Sequence, residues 1–119
     1  MEYAHAQRIR PGRHPFSAEL RATDFSSGRE VWGDTTNLGK GGCYVRLCQP
    51  FPQDTRVLIE IRYHGMRFQT DARVAYTLEK DGMGISFVNV PANQLSILEE
   101  WLTYTAEQRP THVTREGSE

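Results

Sequence analysis

Val57-Leu58-Ile59-Glu60-Ile61-Arg62-Tyr63-His64-Gly65 decides the fold class. Val57, Ile59, Ile61 and Tyr63 fall on one side of an extended chain, and Leu58, Glu60, Arg62 and His64 fall on the other. Side chains repeat every two residues along a strand, so this run predicts a strand with one face inward. His64-Gly65 suits a tight hairpin turn. Beyond it Phe68, Thr70, Ala72, Val74 and Tyr76 alternate again. The two runs therefore predict a β-hairpin at the centre of the chain.

Working outward, the same short-strand pattern recurs. Residues 16–23 (FSAELRAT) and 30–36 (EVWGDTT) read as two strands joined at Ser26-Ser27-Gly28. Residues 43–47 (CYVRL) form a third, followed by a loop marked by Pro50, Pro52 and Asp54. After the hairpin, Asp81-Gly82 is a turn and residues 84–90 (GISFVNV) make a sixth strand. The period then changes. Pro91 suits the first turn of a helix, and Leu95, Leu98, Trp101 and Leu102 recur at spacings of three and four, with Glu99 and Glu100 free to face water. The fold expected is all-β: a six-stranded antiparallel barrel with a C-terminal α-helix. Pro11-Gly12 and Pro15 punctuate a leader without hydrophobic periodicity. The expected organisation is a flexible arm at 1–15, barrel plus helix at 16–106, and a disordered tail at 107–119. Trp32 is expected to pack on the barrel or its edge, and Trp101 between helix and barrel.

Bulk properties narrow the function. The 119 residues suffice for one domain with a modest core. Fourteen basic and fifteen acidic residues give a net charge of −1. A dedicated binder of long nucleic acid normally carries a strongly basic face, so neither DNA nor RNA is expected as a partner. No apolar run approaches the ~20 residues that cross a bilayer, which argues against membrane insertion. No apolar leader follows Met1, so a cytoplasmic location is the default expectation. Cys43 and Cys48 lie five residues apart, where an ideal strand points them to opposite faces, and they read as ordinary thiols. His5, His14, His64 and His112 have no metal-ligand spacing, and no nucleophile, acid–base or phosphate-loop motif is present. An enzyme is not expected, and neither is a metal or a cofactor.

Two features point to a small anion instead. Asn37-Leu38-Gly39-Lys40-Gly41-Gly42 is a glycine-dense turn between strands. Asn37 offers an amide able to read the edge of a base, and Gly39, Gly41 and Gly42 can let backbone N–H groups approach an anion. Upstream, Arg8, Arg10 and Arg13 carry guanidinium groups that grip phosphate through paired hydrogen bonds or stack on a base.

With these residues in view, the chain resembles a PilZ domain, the bacterial receptor module for cyclic di-GMP. That family carries an RxxxR arm and, some 20 to 30 residues later, a [D/N]xSxxG turn. Asn37 stands at the first place of the turn motif and Gly42 at the last. Gly42-Cys43-Tyr44-Val45, Gly82-Met83-Gly84-Ile85-Ser86-Phe87 and the helix with Leu98, Trp101 and Leu102 also fit, so the resemblance spans residues 7 to 104. Two places depart from the pattern. Gly39 replaces the motif's serine, and Ile9 stands four places before Arg13, where the first arginine belongs. The resemblance implies a cyclic di-GMP receptor that signals by ordering its arm over the ligand and altering its affinity for an as yet unidentified partner protein. Arg13 would clamp a phosphate or stack on a guanine, Arg8 or Arg10 would take the other arginine role, Asn37 would read a guanine edge, and Gly39 and Gly42 would permit close approach. The alternative is a degenerate PilZ-type adaptor that binds protein and no nucleotide.

Overall fold

The computed structural model describes residues 12–108. Its strands are β1 (His14–Pro15), β2 (Glu19–Asp24), β3 (Glu30–Leu38), β4 (Gly42–Arg46), β5 (Arg56–Tyr63), β6 (Met66–Leu78) and β7 (Gly82–Val88), followed by the helix α1 (Ala92–Gln108). Neighbouring strands pair in the order β1-β3-β2-β5-β6-β7-β4, and β4 pairs again with β3. That last pairing closes β2 to β7 into a six-stranded antiparallel barrel, the expected architecture, with β1 as an extra strand. Closure satisfies both edges of each barrel strand, which removes the unpaired edge an open sheet would present.

The central hairpin forms as its alternation requires. Val57, Ile59 and Ile61 point inward, and β5 pairs with β6 from Arg56↔Arg73 to Tyr63↔Met66. His64 and Gly65 make the turn at φ of 48° and 78°, the left-handed pair that matches strand twist in a two-residue hairpin. The interior is filled by Leu20, Leu38, Val45, Ile59, Phe68, Val74, Met83 and Ile85, all buried. The helix lays Leu98 and Trp101 over one end of the barrel. Trp101 is buried against Phe16, Tyr63 and Phe68, at ring distances of 5.5, 5.6 and 6.2 Å.

Two expectations are corrected. His14 and Pro15 were placed in a flexible arm, but they pair with Leu38 and Asn37 of β3. The sequence hides this because β1 and β2 are one run interrupted by a bulge, a single extra residue that breaks the alternation. Pairing runs Pro15↔Asn37 and then Glu19↔Asp34, so one residue between them has no counterpart. The buried Thr35 hydroxyl staples the irregularity: it donates to the Phe16 carbonyl at 2.7 Å and accepts from the Ala18 N–H at 3.0 Å. A proline is tolerated there because β1 lies at a sheet margin. At the other end α1 continues through Gln108, so its last turn runs two residues beyond the expected 106.

Trp32, expected to pack on the barrel or its edge, lies on the outer face and is 48% exposed. Its neighbour across the strands is Arg21, whose guanidinium lies 5.6 Å from the indole centroid. Arg21 also pairs with Glu60, which is covered by arginine side chains although it points outward: Arg62 Nε donates to its carboxylate at 2.9 Å and Arg67 lies at 3.8 Å. Burial acts to raise the Glu60 pKa, but the Arg62 hydrogen bond and the charges of Arg21, Arg62 and Arg67 together outweigh it and hold the carboxyl below the usual range. A depressed folded value stabilises the protein above the unfolded pKa of about 4.3, and that contribution is lost as pH falls through the folded value. Glu60→Gln is therefore expected to flatten the loss of stability below about pH 4 in urea unfolding. An identical acid limb in the two proteins would remove Glu60 from the account.

Candidate functional site

The bulge and staple at 16–18 fix where the chain before β1 goes. Because Pro15 sits opposite Asn37, Arg13 emerges directly above the 37–42 turn. Arg13 Nη1 donates to Asn37 Oδ1 at 2.8 Å, a contact spanning 24 positions of sequence. Asn37 Nδ2 in turn donates to Thr36 Oγ1 at 3.3 Å. The arm and the turn, the two features singled out in the sequence, thus meet in space. Arg8 and Arg10 lie outside the described residues.

The turn itself is closed by the Gly39 N–H donating to the Gly42 carbonyl at 2.9 Å, leaving Lys40 and Gly41 as its tip. The Gly41 carbonyl accepts from the Phe87 N–H at 2.8 Å, which ties the tip to β7. No residue from Asn37 to Gly42 has positive φ. Gly39 and Gly42 therefore serve close approach rather than a left-handed backbone. A Cβ at Gly42 would run into the Ile85 carbonyl oxygen of the neighbouring strand, so this glycine lets β4 and β7 pack. A Cβ at Gly39 would lie 2.8 Å from Arg13 Cδ and 2.9 Å from the Gly12 carbonyl oxygen, so this one makes room for the arm. Gly41 faces open space.

A cavity of about 610 Å³ lies beside the turn. Gly12, Arg13 and His14 form one wall, Gly39, Lys40 and Gly41 another, and Ala75, Ile85, Ser86 and Leu102 the rest. It brings together three separate parts of the chain: arm, turn and the outer side of the β6–β7 pair, with α1 contributing Leu102. Its chemistry is cationic on two sides (Arg13, Lys40), with exposed backbone and one hydroxyl. Asn37 and Gly42 do not line it; they stand behind the wall, Asn37 holding Arg13. Sequence reading missed Lys40, Ser86 and His14. Lys40 was legible as the single charge inside the turn. Ser86 and His14 were not, because only the pairing of β7 and β1 brings them here. His14 Nδ1 is buried without a hydrogen-bond partner among the described residues, an uncommon condition for a polar ring atom.

Cys43, next to the turn, points into the core, while Cys48 is exposed, as their spacing led us to expect. Burial pushes the Cys43 thiol up to about 12, with the Arg13 charge opposing weakly, so it stays protonated and unreactive at neutral pH. Tyr44 and Tyr76, both paired with Gly84, stack at 6.0 Å. A Cβ at Gly84 would meet the Tyr76 ring and one at Gly82 the Tyr44 ring, so the two glycines of the Gly82-Met83-Gly84 run make room for the two rings. Among the described residues no group of His, Cys, Asp and Glu could hold a metal ion. Nor is any described helix long and apolar enough to cross a membrane.

Comparison with known proteins bears on the family and the fold. The PilZ domain model matches residues 5–104. No curated protein is detectably similar in sequence. Among solved structures, the PilZ domain of CeSA from a cellulose-synthesizing bacterium superposes with a TM-score of 0.63 at 20% identity, covering 77% of this chain and 95% of that one. The PilZ domain of YcgR from Escherichia coli, solved with c-di-GMP, gives 0.68 at 16% identity, covering 92% and 99%. The Bacillus subtilis inhibitor of motility MotI gives 0.71 at 16% identity over 87% of this chain, which spans about half (54%) of that protein. These structures share the fold. The family match reaches from the arm that carries Arg13 to the helix that packs Trp101, so this chain belongs to the PilZ domain family.

Proposed function

We propose that this domain is a cytoplasmic, non-enzymatic receptor for cyclic di-GMP that passes the signal to a partner protein through the pose of its N-terminal arm. The observation that carries this reading is the meeting of Arg13 and Asn37 at 2.8 Å beside a cavity of about 610 Å³ with cationic walls. Family membership and the c-di-GMP complexes of YcgR and of PlzA from Borreliella burgdorferi support it. In this reading Arg13 turns from Asn37 to a phosphate or a guanine face, Lys40 adds charge, and Asn37 reads a guanine edge. Arg8 and Arg10 supply the remaining cationic contacts. Gly39 brings no hydroxyl, so the ligand makes one hydrogen bond fewer than the family motif offers.

Isothermal titration with cyclic di-GMP tests it. Native protein is expected to release or absorb heat of binding. Arg13→Ala is expected to bind roughly tenfold to a hundredfold more weakly, the worth of a charge-assisted hydrogen bond. Native protein giving no heat would end the receptor reading. One observation favours a second reading. Asn37's acceptor is already satisfied by Arg13, as befits a degenerate adaptor whose arm and turn are simply bonded together. An adaptor retains its protein partner after Arg8, Arg10 and Arg13 are all changed to alanine.

A further inference from the structure

Gly39 is where this chain departs from the family's turn motif, and it is also where the arm touches the turn. The place its Cβ would occupy is 2.8 Å from Arg13 Cδ, 3.1 Å from Arg13 Nε and 2.9 Å from the Gly12 carbonyl oxygen. Real Cβ atoms do not approach carbon or oxygen so closely, and Gly12 contributes backbone, which cannot rotate aside as a side chain can. Gly12 itself sits at φ 80°, a left-handed conformation that glycine adopts freely and that bends the chain down onto the turn. Two glycines on opposite sides of one contact therefore let the arginine stem lie flat, with its guanidinium delivered to Asn37 Oδ1.

We propose that Gly39 is the seat of a latch: the missing Cβ lets Arg13 close onto Asn37, and any side chain at position 39, serine included, lifts the arm off the turn. The motif's serine and the latched arginine are then mutually exclusive, and this chain has the latch. The consequence for signalling rests on the cyclic di-GMP reading. Asn37 Oδ1 accepts from Arg13, so a ligand that takes the Asn37 amide must open the latch. The arm is then re-posed by exchange of one partner for another.

The latch is tested without any ligand, by the Asn37 side-chain amide resonances in NMR spectra of the full chain. Arg13→Ala, Gly39→Ala and the double variant are expected to move that amide to one common position. Lys40→Ala, a change at the turn tip, is expected to leave it near its native place. An amide that stays native in Gly39→Ala but moves in Arg13→Ala overturns the latch, as does a double variant whose shift is the sum of the singles. Should Gly39→Ala fail to fold, the Arg13→Ala single variant decides: an Asn37 amide that moves supports the latch, and one that stays at its native place overturns it. A cyclic di-GMP titration separates the latch from the functional reading. Opening the latch removes a competitor for Asn37, so Gly39→Ala is expected to bind roughly tenfold tighter than native protein. Unchanged affinity in a variant whose amide has moved overturns the competition. No binding by either protein ends the receptor reading, while the amide shifts still judge the latch.

Discussion

Trp101→Ala is expected to destabilise the domain by about 3–5 kcal/mol, the range for truncating a buried large aromatic side chain. The indole is 4% exposed and lies within 6.2 Å, centroid to centroid, of Phe16, Tyr63 and Phe68. Those three rings come from the bulge before β2, from the end of β5 and from the start of β6. They are anchored in the barrel and cannot collapse into the space an alanine leaves. For a domain whose total stability is on the order of 5–15 kcal/mol, the loss is a large fraction. The thermal midpoint is expected to fall by more than about 10 °C. The helix also carries Leu102 into the wall of the cationic cavity, so hydrogen exchange should speed up along α1 before the barrel opens. Trp32→Ala supplies the contrast. That indole is half exposed and, among the described residues, has the Arg21 guanidinium as its only ring contact, so its loss is expected to cost about 0.5–1 kcal/mol. Equal midpoints for the two tryptophan variants would refute the assignment of Trp101 as the keystone between helix and barrel.

The second large effect is expected at Gly42. A Cβ there collides with the Ile85 carbonyl oxygen, a backbone atom held by the β4–β7 pairing of Cys43 with Ile85. Relief requires the two strands to part where the barrel closes. The cost expected for Gly42→Ala is about 3 kcal/mol, the upper end of ordinary overpacking, because no side chain can yield. Urea unfolding without ligand is the measurement. The loss should be the same with and without cyclic di-GMP at low occupancy. A fully stable Gly42→Ala protein that fails only in ligand binding would instead assign the last glycine of the turn motif to the ligand.

The hairpin of β5 and β6 was legible because a two-residue period is a local property: each side chain's face follows from its neighbours, and His64-Gly65 supplies the turn. The same holds for α1, where Leu98 and Trp101 share a stripe. Strand ends were less legible. β1 and β2 are one run broken by a bulge, and β6 carries an irregularity between Val74 and Tyr76. An extra residue inverts the alternation, so the pattern on one side gives no guidance about the other. Trp32, expected on the barrel or its edge, takes its place from pairing: it stands on the outer side of β3 across from Arg21, a neighbour that only the register of β2 and β3 reveals. At the site, the guanidinium and amide of Arg13 and Asn37 were visible as candidates. The cavity was not, since Ala75, Ser86 and Leu102 reach it only through pairing and helix docking.

Taken alone, the order of residues determined the class of fold, the central hairpin, the helix stripe and the chemical character of the arm and the turn. These follow from periodicity, turn propensity and side-chain charge, all set within a few residues. Tertiary structure decided what the glycines are for. Gly42 sits where two strands approach and Gly39 where Arg13 crosses, and neither has the left-handed backbone that usually calls for glycine. Whether a missing Cβ makes room for a strand, an arginine or a ligand depends on which atoms lie opposite, and those atoms belong to residues tens of positions away.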